Sequence, residues 1–137
     1  MLRTLTIAAV SAAVLLLSPA AFAQQTGGTA DEAKAMLMKA AAAVKADKTS
    51  ALAMFNKGEG GFLDRDLYVF CNNLSDGVTT GKNFGAELFA GYQKPIGQIT
   101  EVTYMFPRPG ADKTPVQKVS LVTKVSDDLG CGVGYYK

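Results

Sequence analysis

Lys118 is the residue whose setting constrains chemistry most. It lies inside the strand-like run 116–125, among Val116, Val119, Leu121 and Val122. An ammonium left unpaired in a medium of low dielectric costs several kcal/mol, so this lysine must either carry its head to water along its stem or meet an acceptor. The other candidates are fewer than usual, because the chain has no histidine and no tryptophan. That removes serine and cysteine triads with a histidine base, zinc sites built on imidazole, and haem held by a proximal histidine. The two cysteines, Cys71 and Cys131, have no further soft ligands to complete a metal site. Asp64 with Asp66, and Asp127 with Asp128, are carboxylate pairs in turn-like segments, where solvated aspartate is ordinary. Gly77-Val-Thr-Thr-Gly81-Lys82-Asn83 fails as a phosphate loop on spacing, and Asn83 stands where a hydroxyl would hold magnesium. Gly58-Glu-Gly-Gly61 opens a strand rather than a helix, so it cradles no phosphate. These residues point to a protein that is not an enzyme and needs no cofactor or metal.

The stretch that organises the chain is 60–73, where a glycine break feeds the most strand-like run. Leu67, Val69 and Cys71 alternate there with Tyr68, Phe70 and Asn72. A strand largely apolar on both faces belongs inside a sheet. The N-terminal side of this stretch reads as helix. Thr29 stands three residues before Glu32 in a capping-box arrangement, and Ala33, Met36, Leu37, Ala40, Ala41 and Val44 continue at helical spacing. Residues 51–56 read as a second, short helix closed by Gly58. The C-terminal side reads as sheet: a turn and a return strand at 77–81, then strands at 98–106, 116–125 and 129–136. Residues 84–92 read as a short helix or an irregular connection. In the last strand Gly132 and Gly134 share a face with Tyr136, which suggests that a helix or a ligand approaches the backbone closely there. Two helices and then about five strands joined by short turns define an α+β domain with a mainly antiparallel sheet.

The N-terminus has the layout of a secretory signal peptide: Arg3, an apolar run from Leu5 to Leu17, and Ala21-Phe22-Ala23. The run is about 13 residues, short of the roughly 20 that span a bilayer. Residues 1–23 are thus expected to be removed, 24–28 to form a flexible lead-in, and 29–137 to form one domain with no membrane span, placed in the periplasm or secreted. In that oxidising setting Cys71 and Cys131 tend to pair, closing a loop of about 60 residues for roughly 4 kcal/mol; the alternative is two buried thiols acting as small hydrophobes. The 14 Lys and Arg and 12 Asp and Glu are interspersed, with no basic stripe of the kind that tracks nucleic acid.

The span from Leu52 to Tyr136 resembles the single Cache domain family, PAS-like extracytoplasmic sensor modules. The resemblance runs through Ala53-Met-Phe-Asn-Lys57, Gly61-Phe62, Asp66-Leu-Tyr-Val-Phe70, Asp76-Gly77, Gly81-Lys-Asn83, Tyr104-Met-Phe-Pro107, Pro115 with Lys118, and Gly132-Val-Gly-Tyr-Tyr136. It implies a Cache-like sheet whose first and last strands are antiparallel neighbours, which would bring Cys71 and Cys131 into register. It also implies a small ligand, a carboxylate among the family's kinds, with Lys118 as its counter-charge and Tyr104 and Phe106 as walls. Phe106 stands where the family usually has tryptophan, Leu121 where it has tyrosine, and the hairpin after Asp76-Gly77 is short and lacks its common histidine. The resemblance is compatible with two functions: an extracytoplasmic module that binds or senses a small molecule, with a membrane receptor or signalling partner, or a ligand-free protein that uses the same fold to dock on a receptor or complex. The targeting expectation is checked by mass spectrometry of exported protein, whose first residue should be Gln24; a mass that retains Met1 overturns it.

Overall fold

The computed structural model describes residues 27–75 and 84–137. The signal peptide, most of the lead-in, the return strand at 77–81 and the motifs Asp76-Gly77 and Gly81-Lys-Asn83 lie outside the described residues. Three helices, α1 (Ala30–Ala46), α2 (Lys48–Lys57) and α3 (Phe84–Tyr92), accompany five strands, β1 (Leu63–Asp64), β2 (Leu67–Asn73), β3 (Thr100–Pro107), β4 (Pro115–Ser126) and β5 (Leu129–Tyr136). The strands form one antiparallel sheet in the order β1-β2-β5-β4-β3. The α+β expectation therefore holds, and of the two readings open for residues 84–92 the helix is the one found, as α3. The difference is β1, too short to show periodicity, which is one of the five described strands.

The helices begin and end where backbone groups find partners. Glu32 N donates to Thr29 Oγ1 at 3.2 Å and Thr29 N to Glu32 Oε2 at 2.8 Å, the reciprocal capping box. Asp47 closes α1 and opens α2, its carboxylate accepting from Ser50 N at 3.1 Å, so a single residue turns the chain between the two helices. Gly58 ends α2 at φ 67°, a left-handed conformation open to glycine at little cost. Along α1, Ala33, Met36, Leu37, Ala40 and Val44 are buried, while Ala41 is only partly covered. Small alanines on this face let α1 lie close on the sheet.

The sheet has two unlike faces. On one, α1 and α2 cover Leu67, Val69, Leu121, Leu129, Cys131 and Val133 in the main core. On the other, α3 covers only one end, where Leu88 and Tyr92 pack on Val102 and Val122. Tyr92 donates to Asn72 Oδ1 at 2.8 Å, and burial pushes its phenol pKa well up.

Cys71 lies directly opposite Cys131 in the β2–β5 pairing, with Cα atoms 4.1 Å apart, and the two are bonded. The disulfide joins β2 to β5 within the main core and closes a loop of 60 residues. The chain-entropy estimate for such a loop is about 4 kcal/mol, a large share of the stability of a small domain. Replacing Cys71 and Cys131 together by alanine should lower the urea-unfolding free energy by about 3–4 kcal/mol. A loss under about 1 kcal/mol would show that strand pairing alone holds β2 in place.

Candidate functional site

The pleat sends alternate side chains of four strands to the end of the sheet face that α3 leaves uncovered. β2 supplies Tyr68 and Phe70, β3 supplies Tyr104 and Phe106, β4 supplies Lys118 and Ser120, and β5 supplies Gly132, Gly134 and Tyr136. Pairing brings these together, because Lys118 lies between Tyr104 on β3 and Tyr136 on β5, and Ser120 lies beside Gly134. The three residues expected from the resemblance, Tyr104, Phe106 and Lys118, are thus neighbours on one face.

Lys118 is buried, with 1% of its surface accessible. The alternative in which it reaches water along its stem is overturned. Its Nζ donates to Tyr68 Oη at 2.9 Å and lies 4.4 Å from the ring centre of Tyr68, 5.1 Å from that of Phe106, 5.2 Å from Tyr136 and 5.5 Å from Phe70. Among the described residues no carboxylate lies within ion-pair distance of this ammonium. Among the described residues its stabilisation comes from one hydroxyl and the negative faces of four rings.

The stem needs room, and β5 leaves it. A Cβ built on Gly134 would lie 2.1 Å from Lys118 Cε and 2.6 Å from Ser120 Oγ, one on Gly132 would meet the Phe70 ring, and one on Gly130 would meet Tyr92. Gly132 and Gly134 are closely approached, but by side chains of the neighbouring strands rather than by the helix or ligand expected. A helix residue, Tyr92 of α3, comes close only at Gly130.

The hydroxyls around the cage are linked. Tyr104 Oη and Ser120 Oγ are 2.7 Å apart, and Tyr136 donates to the Pro107 carbonyl at 2.9 Å. Burial raises the phenol pKa of Tyr104 against the opposing hydrogen bond from Ser120. Burial likewise raises that of Tyr136, and the adjoining Tyr68 hydroxyl adds to it. Both phenols stay protonated at neutral pH, and Tyr136 acts as a neutral donor.

Beside the cage lies a cleft of about 260 Å³, bounded by Leu63, Tyr68, Phe106, Arg108, Pro109 and Lys113. Arg108 stacks on the Tyr136 ring, with 5.4 Å from Cζ to the ring centre. It stands 3.8 Å from Asp66 Oδ2, whose other oxygen accepts from Gly28 N at 2.7 Å. The turn that carries Asp66 is fixed by Arg65, at φ 56°, which ties Asp64, Glu32 and the Gly27 carbonyl together. A second cleft of about 500 Å³ runs between α2 and β2, past Leu52, Phe55, Asn56 and Cys71. Its cation, Lys48, is already paired with Asp128 at 2.7 Å.

Tyr68, Phe70 and Tyr136 complete the cage but are not among the site residues expected from the sequence; nor are Arg108 and Lys113 at the cleft. Period-2 alternation already places Tyr68 with Phe70 and Tyr136 with Gly134. Which strand faces which, and so which rings surround Lys118, is decided by strand order. Among the described residues no group of three or more acidic, cysteine or histidine side chains is placed to hold a metal, and no helix is long and apolar enough to cross a membrane.

No protein-family model, curated protein or solved structure matches this chain.

The fit of the lysine stem against glycine is testable. Gly134→Ala should cost about 1–3 kcal/mol, the usual penalty for overpacking a filled site. Combining it with Lys118→Ala should return most of that loss. Equal costs in the two backgrounds would show that the stem does not occupy the space above Gly134.

Proposed function

We propose that this chain is an extracytoplasmic module of the single Cache type that binds or senses a small anion, a carboxylate first among them, on the sheet face left uncovered by α3. The observation that carries this reading is the buried ammonium of Lys118, which has no carboxylate partner among the described residues and sits beside a cleft lined by two further cations. A fixed positive charge with little counter-charge nearby favours an anion arriving in the cleft. The Cys71–Cys131 disulfide is compatible with export, and a membrane receptor or signalling partner is the expected reader of the bound state.

One observation favours the second reading, a ligand-free protein that docks on a receptor or complex. Four rings already face the ammonium, so Lys118 can act as an internal occupant of its own cage. The two readings differ in whether a small carboxylate raises the melting temperature.

A thermal-shift screen of small carboxylates and amino acids should yield at least one that stabilises the wild type. Lys118→Met should abolish that shift while leaving the melting temperature in buffer nearly unchanged or raised, because a buried charge is removed. An unaltered ligand-induced shift in the variant would remove Lys118 from the binding role. A screen with no stabilising compound would favour the docking reading.

A further inference from the structure

We infer that Lys118 does not touch the ligand and that the anion is held instead by Arg108 and the Tyr68 hydroxyl, the ligand being a short monocarboxylate with an apolar tail. This rests on the binding reading above and specifies how its site works. Lys118 has 1% of its surface accessible and is absent from the walls of the cleft, whereas Tyr68 is in them. The lysine therefore acts on an anion in the cleft without contact, and what covers it is the group that can make the contact.

Tyr68 is placed to make that contact. Its oxygen accepts a hydrogen bond from Lys118 Nζ at 2.9 Å, which leaves its own O–H to donate elsewhere. A phenol polarised by an ammonium is a stronger donor than one that is not, since linked hydrogen bonds strengthen one another. The neighbouring Tyr136 has committed its own proton to the Pro107 carbonyl. The Tyr68 proton can go to the Tyr136 oxygen or outward to a ligand acceptor, and a carboxylate is the better acceptor of the two.

Arg108 supplies the second contact. Its side chain is 46% accessible, and the 3.8 Å to Asp66 exceeds hydrogen-bond distance. Its guanidinium has the planar fork that suits a carboxylate. Stacking on Tyr136 restrains it without using its N–H groups.

The remaining walls are apolar. Leu63, 53% exposed, is one of the large hydrophobic side chains left in water, and it faces the same cleft as Phe106, Pro107 and Pro109. A volume of about 260 Å³ lies just under the roughly 300 Å³ lower bound for drug-sized ligands and suits a short chain.

The test titrates the mature protein with butyrate, with acetate and with butyramide, the uncharged analogue, by calorimetry or NMR. Butyrate should bind, acetate more weakly and butyramide not measurably. Arg108→Gln, at a half-exposed position that leaves the melting temperature within a few degrees, should weaken butyrate roughly ten- to a hundredfold. Tyr68→Phe and Lys118→Met should each weaken it, and together by no more than the larger single effect, because Lys118 acts only through the Tyr68 hydroxyl that the first variant removes. Multiplying losses would show that Lys118 acts independently of Tyr68 and overturn the relay. Undiminished binding to Arg108→Gln, or equal binding of butyramide, would overturn the assigned contacts even if another carboxylate stabilises the protein. A wild type that responds to no carboxylate would instead overturn the binding reading itself.

Discussion

The arrangement of the sheet face beyond α3 depends on one ammonium kept out of water. Burying Lys118 costs several kcal/mol after relaxation. Four ring faces at about 0.5–2 kcal/mol each, with a charge-assisted hydrogen bond at about 1.5–3 kcal/mol, offset a penalty of that size. Because the two sides are comparable, the lysine adds little net stability. It does dictate what surrounds it: Tyr68 and Phe70 from β2, Phe106 from β3, Tyr136 from β5, and glycine where its stem passes. A side chain at residue 134 would displace the stem, and loss of the rings would leave the charge without stabilisation.

Holding that arrangement is the task of the opposite face. Leu67, Val69, Cys131 and Val133 pack beneath α1 on the reverse of the strands that carry Tyr68, Phe70 and Gly134. The pleat makes the two faces mechanically inseparable, since a one-residue slip of β2 against β5 would exchange core for cage. The Cys71–Cys131 bond, paired within that register, excludes the slip covalently. The N-terminal turn of α1 is joined to the same system, because Asp66 both accepts from Gly28 and approaches Arg108. Arg65 adds a second tie, to Glu32 in the first turn of α1.

Both faces and most of the elements are legible in the chain itself. The capping box at Thr29 and Glu32, the helical stripe from Ala33 to Val44, the stop at Gly58 and the alternation along β2, β3 and β5 are local features, set by neighbours within a few residues. So is the choice set for a lysine among Val116, Val119 and Leu121, which must reach water along its stem or meet an acceptor. What the sequence could not express is adjacency. β1 has two residues and shows no period, and α3 lies in a segment where glycines blur the choice between helix and irregular connection. The cage and the disulfide register arise only when the order β1-β2-β5-β4-β3 sets β5 between β2 and β4, bringing residues 50 and 60 positions apart into contact. The same placement puts Arg108 on Tyr136 and seals Lys118 beneath Tyr68. Local chemistry set Lys118 the choice between water and a partner, and tertiary structure decided for four rings and one hydroxyl, because strand order controls which faces of distant segments meet.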